Sequence, residues 1–180
     1  MTVRGSCLCG AVAWETTGEF DFMSHCHCSR CRKAHGSAFS TEVMCDAADF
    51  RFTRGRDRVS HFESSPGLSR AFCQRCRKAR GAAHASNLFT TADGVRITSG
   101  EDLIDSYKVP EARYYMNVFC RRCGSKLPRF DPERNIAVVP MGALDGDPGV
   151  KPGRHIFVDS KASWFDIRDD LPQFPGQPPA

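Results

Sequence analysis

Nine of the ten cysteines in this 180-residue chain fall into one ordered series. It runs Cys7-Leu8-Cys9, Cys26-His27-Cys28-Ser29-Arg30-Cys31, Cys73-Gln74-Arg75-Cys76 and Cys120-Arg121-Arg122-Cys123, with Cys45 alone outside it. A C-x-x-C turn aims two sulfurs at one point. In a C-x-C on a strand, residues i and i+2 share a face about 6.5 Å apart, a gap that side-chain convergence closes around one ion. Zinc takes thiolates at about 2.3 Å in tetrahedral sets. The series therefore divides into two closed four-ligand sites with one cysteine left over, or into one closed site, one open three-ligand site and a spare pair. The second partition implies chemistry, because an open coordination position can hold water or substrate.

A disulfide framework is the rival reading. The chain begins MTVRGSCLCG, without the apolar stretch of a secretory signal, so a cytoplasmic protein with reduced thiols is expected. At 180 residues it can bury a core without covalent staples. No apolar run approaches the ~18–20 residues of a membrane span, so no membrane partner is expected. The net charge is +4, unevenly spread: residues 26–80 hold twelve Lys/Arg against five Asp/Glu, and residues 131–180 hold five against eight. A cationic rim around the knuckles suits an acidic small molecule, or it offsets the thiolate charge. The balance is too mild for nucleic acid to be an expected partner.

The chain repeats itself. Cys28-Ser-Arg-Cys31-Arg-Lys-Ala-His-Gly36 matches Cys73-Gln-Arg-Cys76-Arg-Lys-Ala-Arg-Gly81, and Arg51-Phe-Thr-Arg-Gly55 matches Arg96-Ile-Thr-Ser-Gly100. Two copies are too few for a solenoid, so a β-unit doubled inside one domain is expected over 28–76 and 73–123. The copies are unequal, because the counterpart of Cys26 is Ala71. One domain over 1–174 and a flexible tail over 175–180 complete the organisation. Strands are expected at 11–14, 20–28, 49–53, 59–63, 95–98, 104–109, 136–139 and 155–158. Helix is expected only as a turn or two after each knuckle, near 32–35 and 77–81. The class is mainly β, a β-rich α+β chain.

The segments Gly5-Ser-Cys-Leu-Cys-Gly-Ala-Val12, His25-Cys-His-Cys-Ser-Arg-Cys-Arg-Lys33, Phe119-Cys-Arg-Arg-Cys-Gly-Ser125 and His155-Ile-Phe-Val-Asp-Ser-Lys-Ala-Ser-Trp-Phe-Asp166 carry a resemblance. Together they look like the glutathione-dependent formaldehyde-activating enzyme (GFA) family, to which centromere protein V also belongs. The resemblance implies a β-tent fold with cysteine-ligated zinc and a carbon–sulfur lyase activity. By position, Cys7, Cys9, Cys120 and Cys123 resemble the ligands of a structural zinc. Cys26, Cys28 and Cys31 resemble the three-thiolate catalytic zinc site. The departure is the extra unit: deleting either copy leaves a normal-looking member. Cys73 and Cys76 thus stand as the alternative structural pair or as an extra site.

The implied reaction joins a thiol such as glutathione to formaldehyde, giving S-hydroxymethylglutathione, or reverses it. Zinc deprotonates a ligated thiol and can polarise a carbonyl. Arg30, Arg32 and Lys33 are the candidates to hold an acidic substrate. No residue is an evident general acid. His27 alternates with its cysteine neighbours and should point away from the metal, and His35 is a minor candidate acid. His155 and Trp164 are expected to pack, and Cys45 to be a buried thiol. The alternative is a zinc-stabilised binding module without catalysis, using the basic knuckle face on nucleic acid or protein. Such a module should complete each site with four ligands, for instance by bringing Cys73 or Cys76 to the three-cysteine group.

Overall fold

A computed structural model describes residues 2–17, 20, 23–73, 82–110 and 115–179, with Cys73 described in its backbone alone. β1 (Val3–Ser6) and β2 (Ala13–Thr16) pair antiparallel around the turn that carries Cys7 and Cys9. β3 (Met23–Cys26) pairs with β4 (Ser40–Val43), and α1 (Ser29–His35) fills the connection between them. β5 (Phe50–Arg54) returns to β2, giving the order β1-β2-β5. β6 (Val59–Ser65) and β7 (Leu68–Cys73) form the next hairpin.

The second half repeats the style. β8 (Asn87–Thr90) stands beside β12 (Ile136–Pro140), which also takes β11 (Arg129–Asp131). β9 (Ile104–Lys108) pairs with β10 (Met116–Cys120). β13 (His155–Ile156) and β14 (Gln173–Phe174) close the chain as a short parallel pair. With these strands and α1, the chain is mainly β, as expected.

The hairpin β6–β7 has a counterpart in β9–β10. Gly55 at φ 67° and Gly100 at φ 73° each open a 3₁₀ turn that leads into the first strand of the hairpin. That left-handed backbone costs a glycine nothing. Phe62 then stands opposite Arg70 as Tyr107 stands opposite Asn117.

The counterpart of β5 is missing. The strand expected at 95–98 does not form. β5 hydrogen-bonds to β2, whereas Val95–Thr98 pairs with no described strand. Local alternation proposes a strand, but a partner edge decides it. Other boundaries also move. The strand expected at 20–28 is β3 alone, because Cys28 leaves it to start α1. The one expected at 155–158 stops at Ile156, where Phe157 takes a left-handed φ of 57°. The helical turn expected near 77–81 lies outside the described residues.

Burial is shallow. Among the described residues the buried apolar side chains are Val12, Cys31, Phe119, Ala137 and Val139. Cys7, Cys9, Phe52, Val59 and Tyr107 pack around Val12, so the N-terminal cysteines belong to the core. Glu15, buried on β2, is held by Arg4 at 3.2 Å and by Arg51 Nε at 2.8 Å. At the C-terminus the Phe157 N–H donates to the Gly176 carbonyl at 3.2 Å, within the segment expected to be flexible.

Candidate metal centre

The knuckle is assembled by two elements. β3 ends on Cys26, which lies opposite Ser40 of β4. The chain then turns, and Cys28 becomes the N-cap of α1, its sulfur accepting the Cys31 backbone N–H at 3.4 Å. A helix start has unpartnered N–H groups, and a cap side chain satisfies one of them. Here the cap is a metal-ligand candidate, so starting the helix also points Cys28 and Cys31 the same way. The sulfurs of Cys26, Cys28 and Cys31 lie within 4.8 Å of one another. Tetrahedral ligation by thiolates requires about 3.8 Å between sulfurs, so a small contraction fits them to zinc.

The three thiols differ in surroundings. Cys28 is exposed, and the Cys31 backbone N–H, helped by the Cys31 and Cys26 side chains, pulls its thiol down to about 7. Cys31 is buried, and burial pushes its thiol up. Arg70 Nη2 donates to Cys31 Sγ at 3.3 Å, and Glu42 Oε1 lies 3.7 Å away on the other side. The Ser40 hydroxyl holds that carboxylate at 2.9 Å.

The three cysteines, Glu42 and Arg70 line one open cavity of about 500 Å³, which Arg30, His35 and Cys123 also border. Burial, with Arg70 nearby, lowers the pKa of His35, so the imidazole is held neutral in the cavity wall. Arg32 and Lys33 face elsewhere. Arg32 borders a second cavity with Asp145 and Asp147, and Lys33 is paired with Asp145 at 2.5 Å. Of the three cations expected around the site, Arg30 alone lines the cavity with the cysteines. Arg70, Glu42 and Ser40 had no signal in the sequence, being ordinary strand residues until register brings them to Cys31.

The remaining candidates are placed as follows. Cys7 and Cys9 lie 3.5 Å apart, with the Val12 N–H donating to Cys7 Sγ at 3.2 Å. Cys120 ends β10, and Cys123 Sγ lies 3.4 Å from Ser125 Oγ. Among the described residues, Cys26, Cys28 and Cys31 are the one group of three or more such ligands within 4.8 Å, so the other two pairs are not drawn into a single set. Cys73 is described without its side chain, and Cys76 lies outside the described residues. The described cysteines with side chains are free thiols, against a disulfide framework.

His27 packs on Phe39 at 5.0 Å beside His25 at 4.6 Å. His155 holds Asp169 at 2.9 Å. Two expectations are corrected. Trp164 is 50% exposed rather than packed, and among the described residues its one ring neighbour is Phe165 at 6.5 Å. Cys45 is only half-buried, since the chain leaves β4 at Val43 and runs along the surface.

Fold and site thus define a mainly β protein with a cysteine knuckle able to hold a metal ion. Comparison with known proteins makes the class specific. The chain belongs to the glutathione-dependent formaldehyde-activating enzyme family, whose sequence profile matches residues 2–76 and again residues 66–160. A curated protein of Halomonas elongata, provisionally named a glutathione-dependent formaldehyde-activating enzyme, is 25% identical over 170 residues, covering 93% of this chain and 82% of its own. A crystal structure of a Rhodobacter sphaeroides protein aligns over 82% of this chain and 93% of its own, at 20% identity and a TM-score of 0.30.

Proposed function

We propose that this protein is a zinc-dependent carbon–sulfur lyase of the GFA type, joining a glutathione-like thiol to formaldehyde or a related small aldehyde. The observation that carries the reading is the three-cysteine knuckle on the wall of an open cavity. Bound there, zinc would supply a Lewis acid and favour the thiolate form of the incoming thiol. Cys26, Cys28 and Cys31 would hold it, and a structural zinc on Cys7, Cys9, Cys120 and Cys123 would draw together two pairs that stand separate here.

The reaction makes one S–C bond. The thiol loses its proton, the sulfur adds to the aldehyde carbon, and the carbonyl oxygen takes up a proton to become the hydroxyl. Glu42 and neutral His35 are the cavity groups able to carry that proton. Arg30 is left to meet a substrate carboxylate. Of the basic knuckle face that a binding module would use, Lys33 is paired with Asp145 at the surface. We place the activity in the cytoplasm, where thiols stay reduced. No described helix is long and apolar enough to cross a membrane.

The test follows magnetisation exchange between formaldehyde and glutathione adduct by nuclear magnetic resonance, with the uncatalysed rate subtracted. Zinc-loaded protein should accelerate exchange and Cys28→Ser should not. A zinc-loaded wild type no faster than buffer would refute the reading.

A further inference from the structure

Arg70 stands on β7, outside every cysteine motif, yet it reaches a sulfur of the knuckle. Its Nη2 donates to Cys31 Sγ at 3.3 Å. Its Nε is buried without a hydrogen-bond partner among the described residues. No described carboxylate lies within ion-pair distance of it. A guanidinium does not give up its proton in a protein, so the bond to Cys31 Sγ comes from a fixed, half-buried positive charge. The counterpart on β10 is Asn117, which is engaged by Lys126 instead. The cation therefore belongs to the copy of the hairpin that faces the three-cysteine knuckle.

We propose that Arg70 is a positioning residue for Cys31: its guanidinium, donating to the buried sulfur, holds that sulfur aimed at the metal position. The inference rests on the reading of Cys26, Cys28 and Cys31 as a metal site, but not on any turnover at that site. Three thiolates give a divalent ion a net negative charge, and a fourth from substrate adds another. A fixed cation against one sulfur offsets part of that charge without occupying a ligand position. Outer-shell partners of this kind typically change metal affinity by about 10- to 100-fold when removed.

The experiment measures zinc retention against a chromogenic chelator and, in parallel, the cobalt–thiolate charge-transfer band, with no thiol substrate or aldehyde present. The release phase that disappears in Cys28→Ser identifies the knuckle. Arg70→Met should weaken that phase by about 10- to 100-fold and reduce the cobalt band, leaving the far-ultraviolet circular dichroism unchanged. Arg70→Lys should recover most of the loss, because it keeps the charge. Arg56→Met, at an exposed cation that does not line the knuckle cavity, should leave the knuckle phase unchanged. If Arg70→Met does not fold, Arg70→Gln replaces it with the same two outcomes. Zinc release unchanged in the neutral variant, or equally weakened in Arg70→Lys, would overturn the proposal. Neither result depends on the lyase assay, so a protein inactive toward formaldehyde could still sustain the inference.

Discussion

The backbone N–H of Cys31 donates to Cys28 Sγ at 3.4 Å, so the second cysteine of the knuckle caps the helix that carries the third. The local fold and the donor set are therefore one arrangement. In the metal-free protein, Cys28 combines exposure with a thiol drawn down to about 7, whereas Cys31 is buried and shifted the other way. Iodoacetamide at pH 7 should modify Cys28 well before Cys31, as read by peptide mass spectrometry. Zinc should protect both. Equal rates for the two cysteines would show that the cap is not formed without metal.

The shallow core bears on stability. With so few apolar side chains fully buried among the described residues, metal cross-links between distant segments should contribute heavily to the fold. Structural zinc contributes on the order of 10 kcal/mol in small modules, comparable with a domain's whole stability. Strong chelation should lower the melting temperature sharply. Cys9→Ser, inside the Val12 cluster, should aggregate, while Cys28→Ser on the exposed rim should remain soluble with a native-like circular dichroism spectrum. If the two variants behave alike, the division between a structural and a functional site is wrong.

The helix that carries Cys31 is seated by a close approach. At Gly142, in the 3₁₀ turn Met141–Ala143, a Cβ would collide with backbone atoms of Ser37 and with the Arg32 carbonyl. Backbone atoms cannot move aside as a flexible side chain can. Gly142→Ala should cost about 1–3 kcal/mol in urea unfolding and loosen metal binding at the knuckle through α1. An unchanged midpoint would show that the turn does not bear on the helix.

A pH signature should come from Glu15. The bond from Arg51, then that from Arg4, holds its carboxyl below the ordinary 4.5. A depressed carboxylate contributes stability that is present above its unfolded value and lost as pH falls through the folded one. The melting-temperature gap between wild type and Glu15→Gln should be widest above about pH 5 and close on acidification below 4.5. A gap constant across that range would assign the effect to packing.

The knuckle was legible in the sequence because its ligands are close together: Cys26, Cys28 and Cys31 need only the end of β3 and the first turn of α1 to converge. Groups around it were not legible. Glu42 reaches Cys31 through the β3–β4 register and Arg70 through a hairpin 39 residues away, and neither residue type is unusual on a strand. The internal match showed in the chain as similar words, and in space as Phe62 opposite Arg70 and Tyr107 opposite Asn117. The same match misled at Val95–Thr98, since duplicating a strand does not duplicate the edge it pairs with.

The central claim is an open three-thiolate metal site, and anomalous scattering at the zinc edge, with zinc counted per chain, tests it most directly. The account predicts an ion bound by Cys26, Cys28 and Cys31 with no fourth protein sulfur, and a second ion elsewhere in the chain. A knuckle ion closed by Cys73, Cys76 or Cys123 would leave no position for substrate and would contradict it.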